Sequence, residues 1–388
     1  MQLLNCPTKA TPLPRQVIRV TRTPPLTVLR APLTAALLAA TALLISCASE
    51  RAPRISETDA RAAIKRALPN SASDRAGWAD DIYTGFTAQG IEPTHENVCA
   101  VVAVIEQESS FQVNPVIPGL PAIAWKEIRT RADHAAVPWM LVRGALDLHS
   151  PVGRSYGERI DHAKTEKDLS DIYEDFIGSV PLGRTLFADH NPIRTRGPMQ
   201  VNINFLKQTP AVRTYPYPVK DSSMADELFS RRGSVYYGIA HLLGYPAKYP
   251  RYLFRFADYN AGQYASRNAA FQSALATISS RQLVPDGTLL PANGDVGSTE
   301  SAARSVEGRL EVADDAIHSA LEKGKRPDFE DTLLYKRVFT LAEQRQGPPA
   351  ARALVPRIKL QGPKISRNLT TDWYAHRVDG RFQQCLKR

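Results

Sequence analysis

Apolar residues recur at helical spacing along most of the chain after residue 55, while alternation of the strand kind is scarce. Ser56-Glu57-Thr58-Asp59 opens an amphipathic stretch to Leu68, and Ser73-Asp74 precedes another carrying Trp78, Ile82, Tyr83 and Phe86. Pro93-Thr94 starts a third, over 96–111. The same spacing predicts helices over 122–131, 138–148, 167–177, 224–243, 249–259, 267–279, 302–321, 328–346 and 371–386. Pro, Gly and Asn cluster at 115–121, 190–198 and 283–298, which read as loops. The class expected is mostly α.

One stretch, 31–45, runs apolar without a charge, and it falls short of the roughly twenty residues a membrane-spanning helix needs. Arg15, Arg19, Arg22 and Arg30 precede it and no acid occurs before Glu50, the charge order of a secretory signal. The residues that end it, Leu44-Ile45-Ser46-Cys47, resemble the bacterial lipobox, whose cysteine is lipidated and becomes the N-terminus. An uncleaved anchor ending in a chance cysteine is the plainer alternative. The resemblance implies a signal peptide over 1–46 and a tether over 47–55. Ala48 in place of an aspartate then favours the outer membrane, with the domain facing the periplasm.

Composition narrows the class further. With 388 residues, 43% apolar and 23% charged, the chain has room for one large or two ordinary folded domains, and disorder throughout is excluded. The net charge of +10 includes five basic side chains and no acid in the first 47 residues, so the rest carries only +5. No basic run with interleaved aromatics points to nucleic acid. The four cysteines show no CxxC or CxxH spacing, so neither a disulfide scaffold nor a metal site is expected. A cleaved leader removes Cys6 and uses Cys47, which leaves Cys99 and Cys385 in an oxidising compartment. They are predicted to pair and to pin the C-terminal helix to the helix that carries Glu108.

Candidate chemistry concentrates at that helix. In the run from Val101 to Phe111, Glu108 lies within about 60° of Val101, Val104 and Ile105, whereas Glu106 points to the other side. A carboxyl ending a buried face is desolvated, keeps a proton near neutral pH and suits general acid catalysis. It also suits a plain helix end or an arginine partner. Gly197-Pro198-Met199-Gln200 and Tyr259-Asn260-Ala261-Gly262 add amide and phenol groups next to tight turns, and each alone reads equally well as ordinary helix punctuation.

In this order, Glu108-Ser109-Ser110-Phe111, Gly197-Pro198-Met199-Gln200 and Tyr259-Asn260-Ala261-Gly262 resemble the E-S-x-F, G-L-M-Q and Y-N-A-G motifs of soluble lytic transglycosylases, the lysozyme-like glycoside hydrolase family 23. Behind the lipobox the whole chain is also similar to a family of proteobacterial envelope lipoproteins. The resemblance covers 97–262 and implies a lysozyme-like domain over 56–290. A large helical insertion at about 116–194 and a C-terminal helical extension over 291–388, packed on the domain, complete the expected layout. Two departures bear on substrate register: the first two motifs stand much further apart than in the family, and Pro198 replaces the usual leucine.

By the resemblance, Glu108 is the acid that cleaves the bond between N-acetylmuramic acid and N-acetylglucosamine in peptidoglycan, leaving a 1,6-anhydro end. Met199 and Gln200 line the muramic acid site, Tyr259 hydrogen-bonds near Glu108, Asn260 holds its loop, and Ser109 orients or caps. No cofactor is implied. A hydrolase with the same fold and a non-catalytic lipoprotein that binds glycan or a partner are the alternatives. The histidines, among them His241, are expected at the surface or in the core. Ser155 with Asp161-His162 lacks the glycines of a nucleophile elbow.

Overall fold

Helix starts follow a single chemical rule in much of this chain. Ser56, Thr94, Ser155, Thr165, Ser230, Thr332 and Thr370 each turn a side-chain oxygen onto a backbone N–H of the first helical turn, satisfying a donor that the helix leaves open. The computed structural model describes residues 56–187, 190–219, 223–360 and 367–388. The expected leader and tether, with Cys6 and Cys47, lie outside the described residues. The described chain is mostly α, with one two-stranded antiparallel sheet. No helix among the described residues is long and apolar enough to cross a membrane.

The first core gathers around α3 (His95–Glu108), preceded by α1 (Glu57–Ala67) and α2 (Arg75–Ala88). Every residue of α3 from Val98 to Ile105 is buried, so the helix is apolar on all sides and must sit inside. The segment expected as an insertion folds into α4 (Leu120–His134), α5 (Trp139–Leu146), α6 (Tyr156–Asp161), α7 (Glu166–Ser179) and α8 (Gly183–Phe187). It has a small core of its own, built on Leu120, Leu146, Tyr156, Ile160 and Ile172. The short α6 and α8 were not expected. For α6 the signal was present: Ser155 and Glu158 form a capping box, and that, not a catalytic triad, is the role of Ser155.

The loop expected at 190–198 contains a strand. β1 (Thr195–Arg196) pairs with β2 (Val201–Asn202) and closes a hairpin around Gly197–Gln200. Beyond α9 (Ile203–Leu206), the helix expected over 224–243 is two, α10 (Met224–Glu227) and α11 (Arg231–Leu243). The break is chemical: Ser230 caps α11, and Glu227 accepts hydrogen bonds from Tyr215, Ser230 and Arg232. α12 (Tyr252–Ala261) and α13 (Ala265–Ser279) follow.

The second core departs from the expected layout. Ala270, Phe271, Ala274, Leu275 and Ile278 of α13 pack against α14 (Ser298–Arg304), α16 (Asp314–Glu322) and α17 (Leu333–Gln346), with α15 (Glu307–Leu310) between them in sequence. A boundary at 290 therefore cuts through a core instead of between two. The single helix expected over 302–321 is three, and α17 begins behind the Thr332 cap instead of at Asp328. α18 (Thr371–Cys385) leaves this second core altogether. Its Tyr374, Ala375, Val378, Phe382 and Cys385 join the first core beside α3.

Candidate active site

Where α3 ends, the backbone is unusual. Ser109 caps the helix, its N–H and Oγ both donating to the Ile105 carbonyl at 3.0 and 3.1 Å. Ser110 and Phe111 then take φ of 50° and 64°, two successive non-glycine residues in the left-handed region. Such a pair costs of order 1–3 kcal/mol per residue and persists only where packing over-determines it. Here the packing is Phe111, buried and edge-on to Trp78 with ring centroids 5.2 Å apart. The chain turns sharply away and Glu108 stands as the last helical residue, partly open to solvent.

Three elements close on its carboxyl. Tyr374 of α18 donates its hydroxyl to Glu108 Oε1 at 2.5 Å. Tyr259 of α12 lies close enough to feel the Glu108 charge, but donates its own hydroxyl to the Met199 carbonyl at 2.7 Å. Glu166, the first residue of α7, adds a second carboxylate whose charge also reaches Glu108. Burial, opposed by the Tyr374 hydrogen bond and reinforced by the Glu166 charge, pushes the Glu108 carboxyl up to about 7. Glu106 faces elsewhere, with Arg388 at 3.9 Å.

The hairpin between β1 and β2 supplies the next layer. Gly197 has φ of 71°, and a Cβ there would meet the Leu228 carbonyl oxygen at 1.9 Å, so only glycine fits. Met199 is fully buried, its N–H bonded to Ser234 Oγ at 2.9 Å and its side chain pressed on Gly238. The Met199 side chain is packed inside, while its carbonyl accepts from Tyr259. Gln200, itself at φ of 51°, donates to Glu166 Oε2 at 2.9 Å and accepts from the Thr195 hydroxyl at 2.7 Å. Its amide thus ties the hairpin to the insertion and brings Glu166 to the site.

Behind Tyr259 lies His241, whose Nε2 sits 3.1 Å from the Tyr259 carbonyl and whose ring packs on Phe205 and Tyr259. Burial lowers it to about 4, so it is a neutral support near pH 7. The turn after Tyr259 hangs on Asp258. That carboxyl accepts from the hydroxyls of Tyr245 and Tyr249 and the N–H groups of Tyr264 and Ser266, at 2.6 to 3.0 Å. Asn260 is exposed and accepts from the Thr371 hydroxyl at 2.8 Å, joining α12 to the start of α18.

Glu108, Tyr259 and Gln200 are thus brought together with the Met199 backbone, while Ser109 folds back on its own helix and Asn260 acts one step removed. Sequence reasoning missed Tyr374, Glu166 and Asp258. Asp258 directly precedes the Tyr259–Gly262 motif. Tyr374 and Glu166 carried no local signal, because only the fold brings positions 266 and 58 residues away to Glu108. Cys99 and Cys385 form a disulfide with Cα atoms 5.4 Å apart, at the opposite end of the α3–α18 contact from Tyr374 and Glu108. Two clefts, of 460 Å³ beside Arg267 and 450 Å³ beside Thr209, are lined by other residues and do not include Glu108.

Residues 71–388 match the family described as protein of unknown function DUF1615, and the chain belongs to that family. A similar protein is the uncharacterized protein YaiW of Escherichia coli (strain K12), 46% identical over 363 residues that span 92% of this chain and 99% of the relative. No solved structure matches the chain at a significant level.

Proposed function

We propose that this DUF1615 member is a murein lytic transglycosylase with a lysozyme-like catalytic domain and a single acid/base carboxyl, Glu108. The observation that carries the reading is a carboxyl pushed up to about 7 by burial and held through one oxygen by Tyr374, at the end of a buried helix. Such a group is still protonated near neutral pH and has its second oxygen available. It donates that proton to the glycosidic oxygen as the bond from C1 of N-acetylmuramic acid breaks. The substrate's own acetamido group supports the positive centre, so no second carboxylate is required. Glu108, now ionised, takes the proton of the C6 hydroxyl, whose oxygen closes on C1 and leaves a 1,6-anhydro end. Gln200 contacts the muramic acid ring, and Tyr259 and Asn260 keep the wall of the site in place. The reading puts the protein in the envelope as a lipoprotein anchored through Cys47 to the outer membrane, facing the periplasm.

Glu166 favours a second reading, hydrolysis, because its charge reaches Glu108 and a second carboxylate near the acid is what activates a water in inverting glycosidases. Digestion of purified sacculi with mass spectrometry of the products separates the two. The proposal expects fragments with anhydro ends, one water lighter than reducing ends. Reducing ends alone would replace it by the hydrolase. Retention on sacculi with no fragments at all would replace it by a glycan-binding lipoprotein.

A further inference from the structure

The insertion is polarised. Its α7 carries Glu166, Asp168, Asp171, Glu174 and Asp175 against one lysine, and meets the candidate site through Glu166. The part before it is mildly basic: residues 125–154 hold five basic side chains, Lys126, Arg129, Arg131, Arg143 and Arg154, against three acids, with Arg131 and Arg143 paired to Glu127 and Asp147 at 2.7 and 3.8 Å.

That basic part also exposes apolar side chains that a solvated helix would bury. Of the eight residues of α5 only Leu146 is buried, while Met140 is 85% and Leu141 65% exposed. Leu148 and Val152, just beyond it, are 59% and 66% exposed. Scattered exposed apolar side chains need no explanation, but four large ones within thirteen residues do. Their surroundings are specific. Trp139 meets Trp125 edge-on at 6.1 Å, the Arg129 guanidinium lies 5.4 Å over Trp139, and that of Arg143 lies 4.7 Å over Trp125.

We infer that α5 and the turn after it form a membrane-docking element that seats on an anionic lipid surface. The charge complementarity selects the occupant. Protruding Met and Leu enter the acyl boundary, the indole pair sits at headgroup level, and arginines stacked on the indoles face the lipid phosphates. An eight-residue helix is about 12 Å long, too short to span a bilayer, so it lies in the surface. A carbohydrate polymer would match the arginines but would leave Met140 and Leu141 in water. This element acts whether or not Glu108 is catalytic.

The test uses the chain from residue 48 onward, so that neither the basic, apolar leader nor an acyl group on Cys47 contributes, and sedimentation with vesicles. The chain is expected to sediment with phosphatidylglycerol-containing vesicles and at least tenfold less with pure phosphatidylcholine. Met140→Asp/Leu141→Asp should abolish binding, and Arg129→Gln/Arg143→Gln should weaken it several-fold and flatten its salt dependence. Both variants should keep the wild-type circular dichroism, because the altered side chains are exposed or lie on the surface of the indole pair. For a variant that does not, Met140→Ser/Leu141→Ser serves instead. Absence of sedimentation, or sedimentation that the Met140 and Leu141 changes leave intact, overturns the inference. A dimer in solution that those changes dissociate, with no vesicle binding, also overturns it and makes the occupant a second copy of the chain.

Discussion

A carboxyl that keeps its proton to about pH 7 affects the stability of the chain as well as its chemistry. The folded Glu108 binds a proton more tightly than the unfolded one, so the folded state gains from that proton at low pH and loses the gain as pH rises from about 4.5 to about 7. Glu108→Gln keeps the volume and an acceptor for Tyr374 but has nothing to ionise. It is expected to match the wild type near pH 4 and to exceed it above pH 7 by at most about 3 kcal/mol, measured by denaturant unfolding across that range. His241 acts in the opposite sense, costing stability as pH falls from about 6.5 to about 4, so the Glu108→Gln comparison is read as a difference, in which the histidine cancels. The neighbours give a sharper test, by carboxyl carbon NMR of Glu108. Glu166→Gln removes a like charge and lowers the Glu108 pKa, whereas Tyr374→Phe removes a hydrogen bond to the ionised form and raises it. Shifts in the same direction, or no shift in either, would contradict this description of the site.

At the scale of elements, the register of α18 on α3 carries the site. Cys385 joins Cys99 and Tyr374 reaches Glu108, so the two helices run antiparallel, held by a covalent bond at one end and a hydrogen bond at the other. The bridge closes a loop across a sequence separation of 286, worth about 5–6 kcal/mol in the chain-entropy model. Cys99→Ala/Cys385→Ala is expected to lose about 2–5 kcal/mol in unfolding and to loosen Tyr374 from Glu108. Unchanged stability would mean that the buried apolar face of α18 sets the register unaided. The sequence showed the helices that have strong caps and long apolar faces, α1, α2, α3 and α18 among them. It did not show β1, because a two-residue strand has no periodicity to read, nor the breaks at Ser230 and after Arg304, where side-chain hydrogen bonds compete with helix continuation. The end of α3 was legible in part: apolar spacing placed Glu108 on the buried face, while the left-handed Ser110 and Phe111 depend on the distant Trp78.

For the molecule as a whole, the described chain is built on two larger cores and a small one, and the path of the chain explains why sequence order misled. α13 is shared between what looked like domain and extension, and α18 returns from the second core to complete the first. The family match over 71–388 includes that return. The most direct test of the account is the rate at which the chain releases 1,6-anhydromuropeptides from sacculi, compared among wild type, Glu108→Gln and Glu106→Gln. Wild type is expected to release them at a rate that declines above about pH 7, with a loss of about 10² or more in Glu108→Gln and a change of no more than a few-fold in Glu106→Gln. Equal rates in all three proteins, or no release by wild type under conditions where it is folded, would contradict it.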